Sequence, residues 1–144
     1  MGRFGVALPP EGLPRWDDGR VVGSILVVDD DAAVRGLVVR ILRSWGHTVI
    51  SEAGSVAEAL ACAEASRPET ALVDIGLPDG DGFALTRELR ARGRATRVVL
   101  FSSDADRANV AAAERAGAIA FLPKDELSGP ALQRLLAGGT DDDG

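Results

Sequence analysis

Short apolar runs alternate with longer amphipathic stretches from Ser24 almost to the end of the chain. The first run, SILVV at 24–28, reads as a buried strand that stops at Asp29, Asp30 and Asp31. Val34, Leu37, Val38, Ile41, Leu42 and Trp45 then fall at helical spacing on one apolar stripe, and Gly46 is placed to end that helix. HTVIS at 47–51 predicts a second strand, and Ser55-Val56-Ala57-Glu58 is a capping box that opens a helix running to near Pro68. A third strand over 70–73 ends at Asp74, and after the loop IGLPDGDG a helix over 83–92 offers Phe83, Leu85 and Leu89 to the core. A fourth strand over 97–101 ends at Ser102, an alanine-rich helix over 104–116 closes on Gly117, a fifth strand covers 118–122, and 130–137 forms a last short helix. Five strand-helix pairs predict an α/β fold, a parallel sheet with helices on both faces.

The flanks read differently. Residues 1–23 hold five glycines and three prolines without apolar periodicity and predict a mobile leader, 24–138 the globular domain, and 139–144 an acidic tail. A length of 144 residues with 46% hydrophobic and 26% charged residues suits one globular domain. No apolar run approaches the roughly 18 residues of a membrane span, and the first residues lack the apolar stretch of a signal peptide, so the expectation is a cytoplasmic protein without a membrane partner. A net charge of -6 repels a phosphate backbone and argues against nucleic acid as a partner. Cys62 has no second cysteine to pair with and, beside the single His47, cannot build a thiolate zinc site. Nucleotide-cradling glycine loops and the nucleophile elbow of serine hydrolases are absent from the sequence.

The candidate chemistry lies at the strand ends, where an open parallel sheet binds its ligands. Asp29, Asp30 and Asp31 follow the first strand, Asp74 the third, Ser102 and Ser103 the fourth, and Lys124, the sole lysine beside 15 arginines, the fifth. Each alone has a plain explanation: helix capping for Asp29 to Asp31, a loop for Asp74, a turn for Ser102, a solvated charge for Lys124. Their gathering at four strand ends of one sheet is what those explanations fail to predict. Converging carboxylates must take up protons or hold a cation, and an oxygen-only donor set favours Mg²⁺. Asp74 is then a candidate nucleophile toward phosphorus, with Lys124 and Ser102 placed to hold the oxygens of the transferred group. The arginines at 87, 90, 92, 94 and 97 read as a solvated helix face and loop, with a docking patch for an acidic partner as the other reading.

The motifs ILVVDDD at 25–31, LVDIGLPDGDG at 72–82, VVLFSS at 98–103 and GAIAFLPK at 117–124 resemble the receiver domains of two-component response regulators, in order and spacing, over about residues 24 to 137. The resemblance implies a flavodoxin-like doubly wound sheet of order 2-1-3-4-5. It implies that Asp74 is the phosphoacceptor, that Asp29, Asp30, Asp74 and the backbone carbonyl of Gly76 hold Mg²⁺, and that Lys124 binds the phosphoryl group. Ser102 takes the switch hydroxyl position and Phe121 that of the switch aromatic. Asp125 stands where the family often has proline. The partners so implied are a histidine kinase or histidine phosphotransfer protein upstream, and downstream a protein target or a second copy, bound at the face of the fourth helix, fifth strand and fifth helix around Phe121. With too few residues after 137 for an output domain, the expectation is a stand-alone, chemotaxis-type receiver that is no enzyme beyond its own phosphoryl transfer and autodephosphorylation. Two alternatives stand beside it. One is an interaction module that keeps the acidic pocket without being phosphorylated. The other is a Mg²⁺-dependent aspartyl-nucleophile phosphatase of the haloacid-dehalogenase type, disfavoured because Ile75 and Gly76, rather than a second aspartate two positions on, follow Asp74.

Overall fold

A computed structural model describes residues 21–93, 95–103 and 106–137. The leader over 1–20 and the tail over 139–144 lie outside the described residues, as does Asp104. The elements are β1 (Val21–Val28), α1 (Ala32–Ser44), β2 (Ile50–Ala53), α2 (Val56–Ser66), β3 (Pro68–Asp74), β4 (Gly76–Leu77), β5 (Gly80–Asp81), α3 (Gly82–Ala91), β6 (Arg97–Ser102), α4 (Arg107–Ala116), β7 (Ala120–Pro123) and α5 (Pro130–Ala137), with a 3-10 turn over Lys124–Glu126. The main sheet runs β2-β1-β3-β6-β7, all parallel, which is the expected order 2-1-3-4-5 once the two-residue hairpin β4-β5 is set aside.

Strand alternation divides the core between the two faces of the sheet. Leu26, Val28, Ala71, Val73, Val98 and Leu100 pack with Ala59, Cys62 and Ala63 of α2, Leu85 and Leu89 of α3 and Ala113 of α4. Ile25, Val27, Leu72, Val99, Phe101 and Leu122 pack on the other face with Val38, Val39 and Leu42 of α1 and Leu132 of α5. The buried side of α1 is turned toward Val39, so Leu37, counted in the apolar stripe, is 49% exposed.

Several boundaries move, each for a physical reason. β1 starts at Val21, three residues inside the expected leader, because Val21 pairs with Pro68 and the Gly23 N–H is taken by the Glu69 carboxylate, with a register shift before Ile25. β3 likewise reaches back to Pro68, since the first residue of a strand need not donate. The second strand begins at Ile50 rather than His47. The chain is still closing α1 there: Gly46, at φ 98°, donates to Arg43 and His47 donates to Leu42, the paired bonds of a left-handed helix stop. Gly117 and Ala118 close α4 in the same way, donating to Glu114 and Ala113, which delays β7 to Ala120. The helix expected from 104 has Asp106 as its cap and starts at Arg107. In the capping box of α2, Ser55 Oγ accepts the Glu58 N–H at 3.1 Å, but the Glu58 carboxylate turns to the Gly54 N–H at 2.7 Å, one residue earlier than a box requires.

Candidate functional site

Parallel strands place all their carboxyl ends on one edge, and the chain reverses its winding direction between β1 and β3. Asp29 follows β1 at this crevice and Asp74 ends β3. Ser102 ends β6, one residue past Phe101, the pairing partner of Asp74, while Lys124 follows β7.

The three aspartates after β1 separate into two roles. Asp31 is the N-cap of α1, its Oδ1 accepting the Ala33 N–H at 2.9 Å and the Val34 N–H at 3.3 Å. Asp29 and Asp30 instead join Asp74, and one carboxylate oxygen of each lies within 4.8 Å of the others. Asp29 is fully buried, Asp74 is buried and Asp30 is exposed, so the cluster opens to solvent on one side.

Lys124 bridges the two buried members. Its Nζ lies 3.3 Å from Asp29 Oδ2 and 3.5 Å from Asp74 Oδ2, and 5.8 Å from the centre of the Phe101 ring. Asp29 Oδ2 is enclosed and makes no hydrogen bond among the described residues; its contact with Lys124 is ionic and lies outside hydrogen-bond geometry. Burial, followed by the Asp29 charge, pushes the Asp74 carboxyl above its ordinary range, against the pull of Lys124 and a hydrogen bond from the Gly76 N–H. Burial disfavours the Lys124 ammonium, but the Asp74 and Asp29 charges outweigh it and hold the amine above its ordinary value.

These residues fit a hard divalent cation. One ammonium faces three carboxylates, which leaves excess negative charge, and the enclosed Asp29 Oδ2 has a lone pair to offer. Gly76, in β4, is exposed with open space on its Cα, so no side chain obstructs the approach to its peptide. Ser102 is buried at the same edge, and Phe121 is half-buried beside β6, paired with Leu100. The Lys124–Asp125 peptide, like every described peptide bond, is trans.

Other contributors carried no signal in the sequence. Arg35 of α1 donates from Nη1 to the Asp29 carbonyl at 2.7 Å and from Nε to Glu52 at 3.2 Å, tying the acidic loop to β2. Gly82 packs under the Asp74 backbone, and Asp79 reaches from the loop after Asp74 to α2. Nothing in the local pattern distinguishes Arg35 from 14 other arginines. The basic run is dispersed among the described residues: Arg92 pairs with Glu88 at 2.8 Å, Arg90 lies over Gly117, and Arg97 shares a cavity with Ala131, Arg134 and Leu135 of α5.

Comparison with known proteins bears on this arrangement. The sequence profile of the response regulator receiver domain matches residues 25–135. The chain is 39% identical over 113 residues to the DNA-binding transcriptional activator DevR/DosR of Mycobacterium tuberculosis, which covers 78% of this chain and 52% of that protein. It is 39% identical over 115 residues to protein-glutamate methylesterase/protein-glutamine glutaminase 6 of Anaeromyxobacter dehalogenans, covering 78% of this chain and 33% of that one. The chain thus spans about half the length of the first relative and a third of the second. Among solved structures, the signal receiver domain of NarL from Mycobacterium tuberculosis superposes with a TM-score of 0.71 at 34% identity, covering 80% of this chain and 96% of that one. A CheY-like receiver domain protein from Methanospirillum hungatei gives 0.69 at 27% identity, covering 79% and 93%.

Proposed function

We propose, from the premise that the chain belongs to the response regulator receiver domain family, that it relays a signal by accepting a phosphoryl group on Asp74. The observation that carries the assignment to Asp74 is its position at the end of the central strand β3, within 4.8 Å of the Asp29 and Asp30 oxygens and 3.5 Å from the sole lysine.

In the reaction, a carboxylate oxygen of Asp74 attacks phosphorus of a partner phosphohistidine; the new P–O bond forms as the P–N bond breaks and the electron pair leaves with the imidazole. Asp29, Asp30, Asp74 and the Gly76 carbonyl would hold Mg²⁺, which when bound would supply charge to offset that of the transferring oxygens. Lys124 holds one phosphoryl oxygen as a compact point charge, and the Ser102 hydroxyl donates to another. The chain catalyses its own phosphoryl transfer and the hydrolysis of its aspartyl phosphate.

The output leaves through the face of α4, β7 and α5. Movement of Ser102 toward the phosphoryl group vacates space for Phe121 to turn inward, and α4 and the residue before β7 carry the exposed apolar side chains Val110 and Ile119. A histidine kinase or histidine phosphotransfer protein supplies the phosphoryl group, and a downstream protein or a second copy reads the altered face, in the cytoplasm. No described helix is long and apolar enough to cross a membrane.

Incubation with acetyl phosphate and Mg²⁺ tests the assignment: intact-mass analysis should find one added phosphoryl group on the wild type and none on Asp74→Asn. Equal labelling of the variant overturns it. Beryllofluoride, standing in for the phosphoryl group, should shift amide signals over 106–135 more than those over 32–66; shifts confined to the pocket would favour an interaction module without a switch.

A further inference from the structure

We propose that Asp79 is a positioning residue for the Asp74 site, anchoring the loop that carries the Gly76 peptide to the N-terminus of α2. The inference deepens the phosphoacceptor reading and rests on it for its functional consequence.

The contact is bidentate. Asp79 Oδ1 accepts the Val56 N–H at 2.7 Å and Oδ2 accepts the Ala57 N–H at 3.0 Å, across 23 and 22 residues of chain. Helix α2 does not depend on it for a local cap, because Ser55 already serves the Glu58 N–H. Asp79 takes the two first-turn donors that Ser55 leaves, so the interaction joins two elements in addition to capping one. The two N–H donors hold its carboxyl below the ordinary range, keeping it the charged acceptor that such donors favour.

The consequence follows from where Asp79 sits. It lies in the turn of the β4-β5 hairpin, whose two rungs pair Gly76 with Asp81 and Leu77 with Gly80. A hairpin of two-residue strands has little stability of its own and takes its conformation from what it docks on. At its base it is closed by the Gly82 N–H donating to the Ile75 carbonyl at 2.9 Å. At its tip it is held by Asp79 and by the packing of Gly80, where a Cβ would come within 3.2 Å of Val56 Cγ2. Between these two ties lies the Gly76 peptide, whose N–H is near enough to the Asp74 carboxylate to lower its pKa. Releasing the tip frees that peptide on both of its working sides, the N–H toward Asp74 and the carbonyl assigned to the metal.

Two variants break the tie by different routes. Asp79→Ala removes both acceptors. Val56→Pro removes the donor of the 2.7 Å bond, and it does so at the first helical residue, where proline is favoured and its missing N–H is one the helix does not use. Ser55 already has the extended backbone, φ -156° and ψ 169°, that a residue before proline adopts. In metal-free protein, the NMR signals of the Gly76 amide and the Asp74 carboxyl carbon should move in both variants while those of β7 and α5 stay in place. Calorimetry should show the Mg²⁺ dissociation constant raised by about tenfold or more in each, as for lost supporting contacts around metal ligands. The double variant should lose less than the sum of the two, because both changes remove the bond from the Val56 N–H to Asp79, with Val56→Pro also losing the Val56 contact at Gly80.

A lowered melting temperature with Mg²⁺ affinity within about twofold of wild type in both variants would make Asp79 a fold anchor only and overturn the proposal. Full additivity in the double variant would do the same. Failure of the wild type to bind Mg²⁺ or accept phosphoryl would instead remove the phosphoacceptor reading. The metal-free signals of Gly76 and Asp74 would then still decide whether Asp79 positions Asp74, unmoved signals overturning it.

Discussion

A Cβ built on Gly82 would lie 2.8 Å from the carbonyl oxygen of Asp74 and 2.9 Å from Leu100 Cδ2. The first residue of α3 and the last residue of β3 thus touch through a space that only glycine leaves open. Leu100 is a side chain and can turn, but the Asp74 carbonyl belongs to the central strand.

Gly82→Ala is therefore expected to destabilise the protein. Overpacking costs about 1–3 kcal/mol, whereas the gain in helix propensity is at most about 1 kcal/mol, and the clash should win. Urea denaturation reads the net change. Because the displaced atom belongs to Asp74, acetyl phosphate labelling should also slow. An unchanged midpoint with unchanged labelling would mean that the strand end yields freely.

Asp74 should make metal-free stability depend on pH with a definite sign. Its folded-state carboxyl is raised by burial and by Asp29, so the native state holds this proton more tightly than the unfolded chain does. That advantage is fully present below the ordinary carboxylate range and is lost as pH rises through the raised value. At neutral pH the ionised group is a burden. Asp74→Asn should accordingly melt above the wild type at pH 7 without metal, by a margin that shrinks as the pH falls into the carboxylate range. Calorimetric scans across pH check this, and a lower melting temperature for the variant at pH 7 would show that the Lys124 contact outweighs burial.

Asp30 and Asp31 should separate metal binding from helix capping. Asp31→Ala removes the cap of α1, which costs about 1 kcal/mol, and should leave Mg²⁺ affinity nearly intact. Asp30→Ala removes an exposed member of the cluster and should do the reverse, weakening Mg²⁺ binding with little loss of stability. At 100 times its dissociation constant, Mg²⁺ adds about 2.7 kcal/mol to the stability of a protein that binds it at one site, so the same melting experiment with and without Mg²⁺ reads both effects. The opposite order of affinities would move the metal site by one residue.

Cys62 should be silent until the protein unfolds. It is fully buried, and burial together with the Glu58 charge pushes its thiol up to about 11. At pH 8 roughly one buried thiol in a thousand is ionised, and an opening that admits solvent also restores its ordinary acidity. A disulfide reagent should therefore label it at the rate of global opening, faster with added urea. Rapid labelling in native buffer would reveal a local opening of α2.

The ends of the elements show how much of this was legible along the chain. The Gly46 stop of α1, the Ser55 cap of α2 and the Pro130 start of α5 lie where residue chemistry predicts them, because each depends on neighbours within a turn. The strand starts at Val21 and Pro68 lie outside the local pattern because pairing is a property of two segments, and those at Ile50 and Ala120 come late because the Gly46 and Gly117 helix stops take up the residues before them. Leu37 leaves the buried face because an apolar stripe fixes a helix face only to within the rotation that the sheet beneath it imposes.

The sequence by itself determined the alternation of strands and helices, and with it the common edge to which Asp29, Asp30, Asp74, Ser102 and Lys124 are carried, since parallel strands leave their carboxyl ends no other place. The tertiary structure turned Asp29 and Asp30 toward Asp74, the set the resemblance implies, while Asp31 caps α1 through bonds only two and three residues along the chain. It alone seated Lys124 between Asp29 and Asp74, gave Arg35 the Asp29 carbonyl, and joined Asp79 to α2. Local patterns record the preferences of the backbone over a few residues. Electrostatic and hydrogen-bond partners are chosen by distance in space, and pairs such as Ala57 with Asp79 and Asp29 with Lys124, 22 and 95 positions apart, become neighbours only when the sheet has formed.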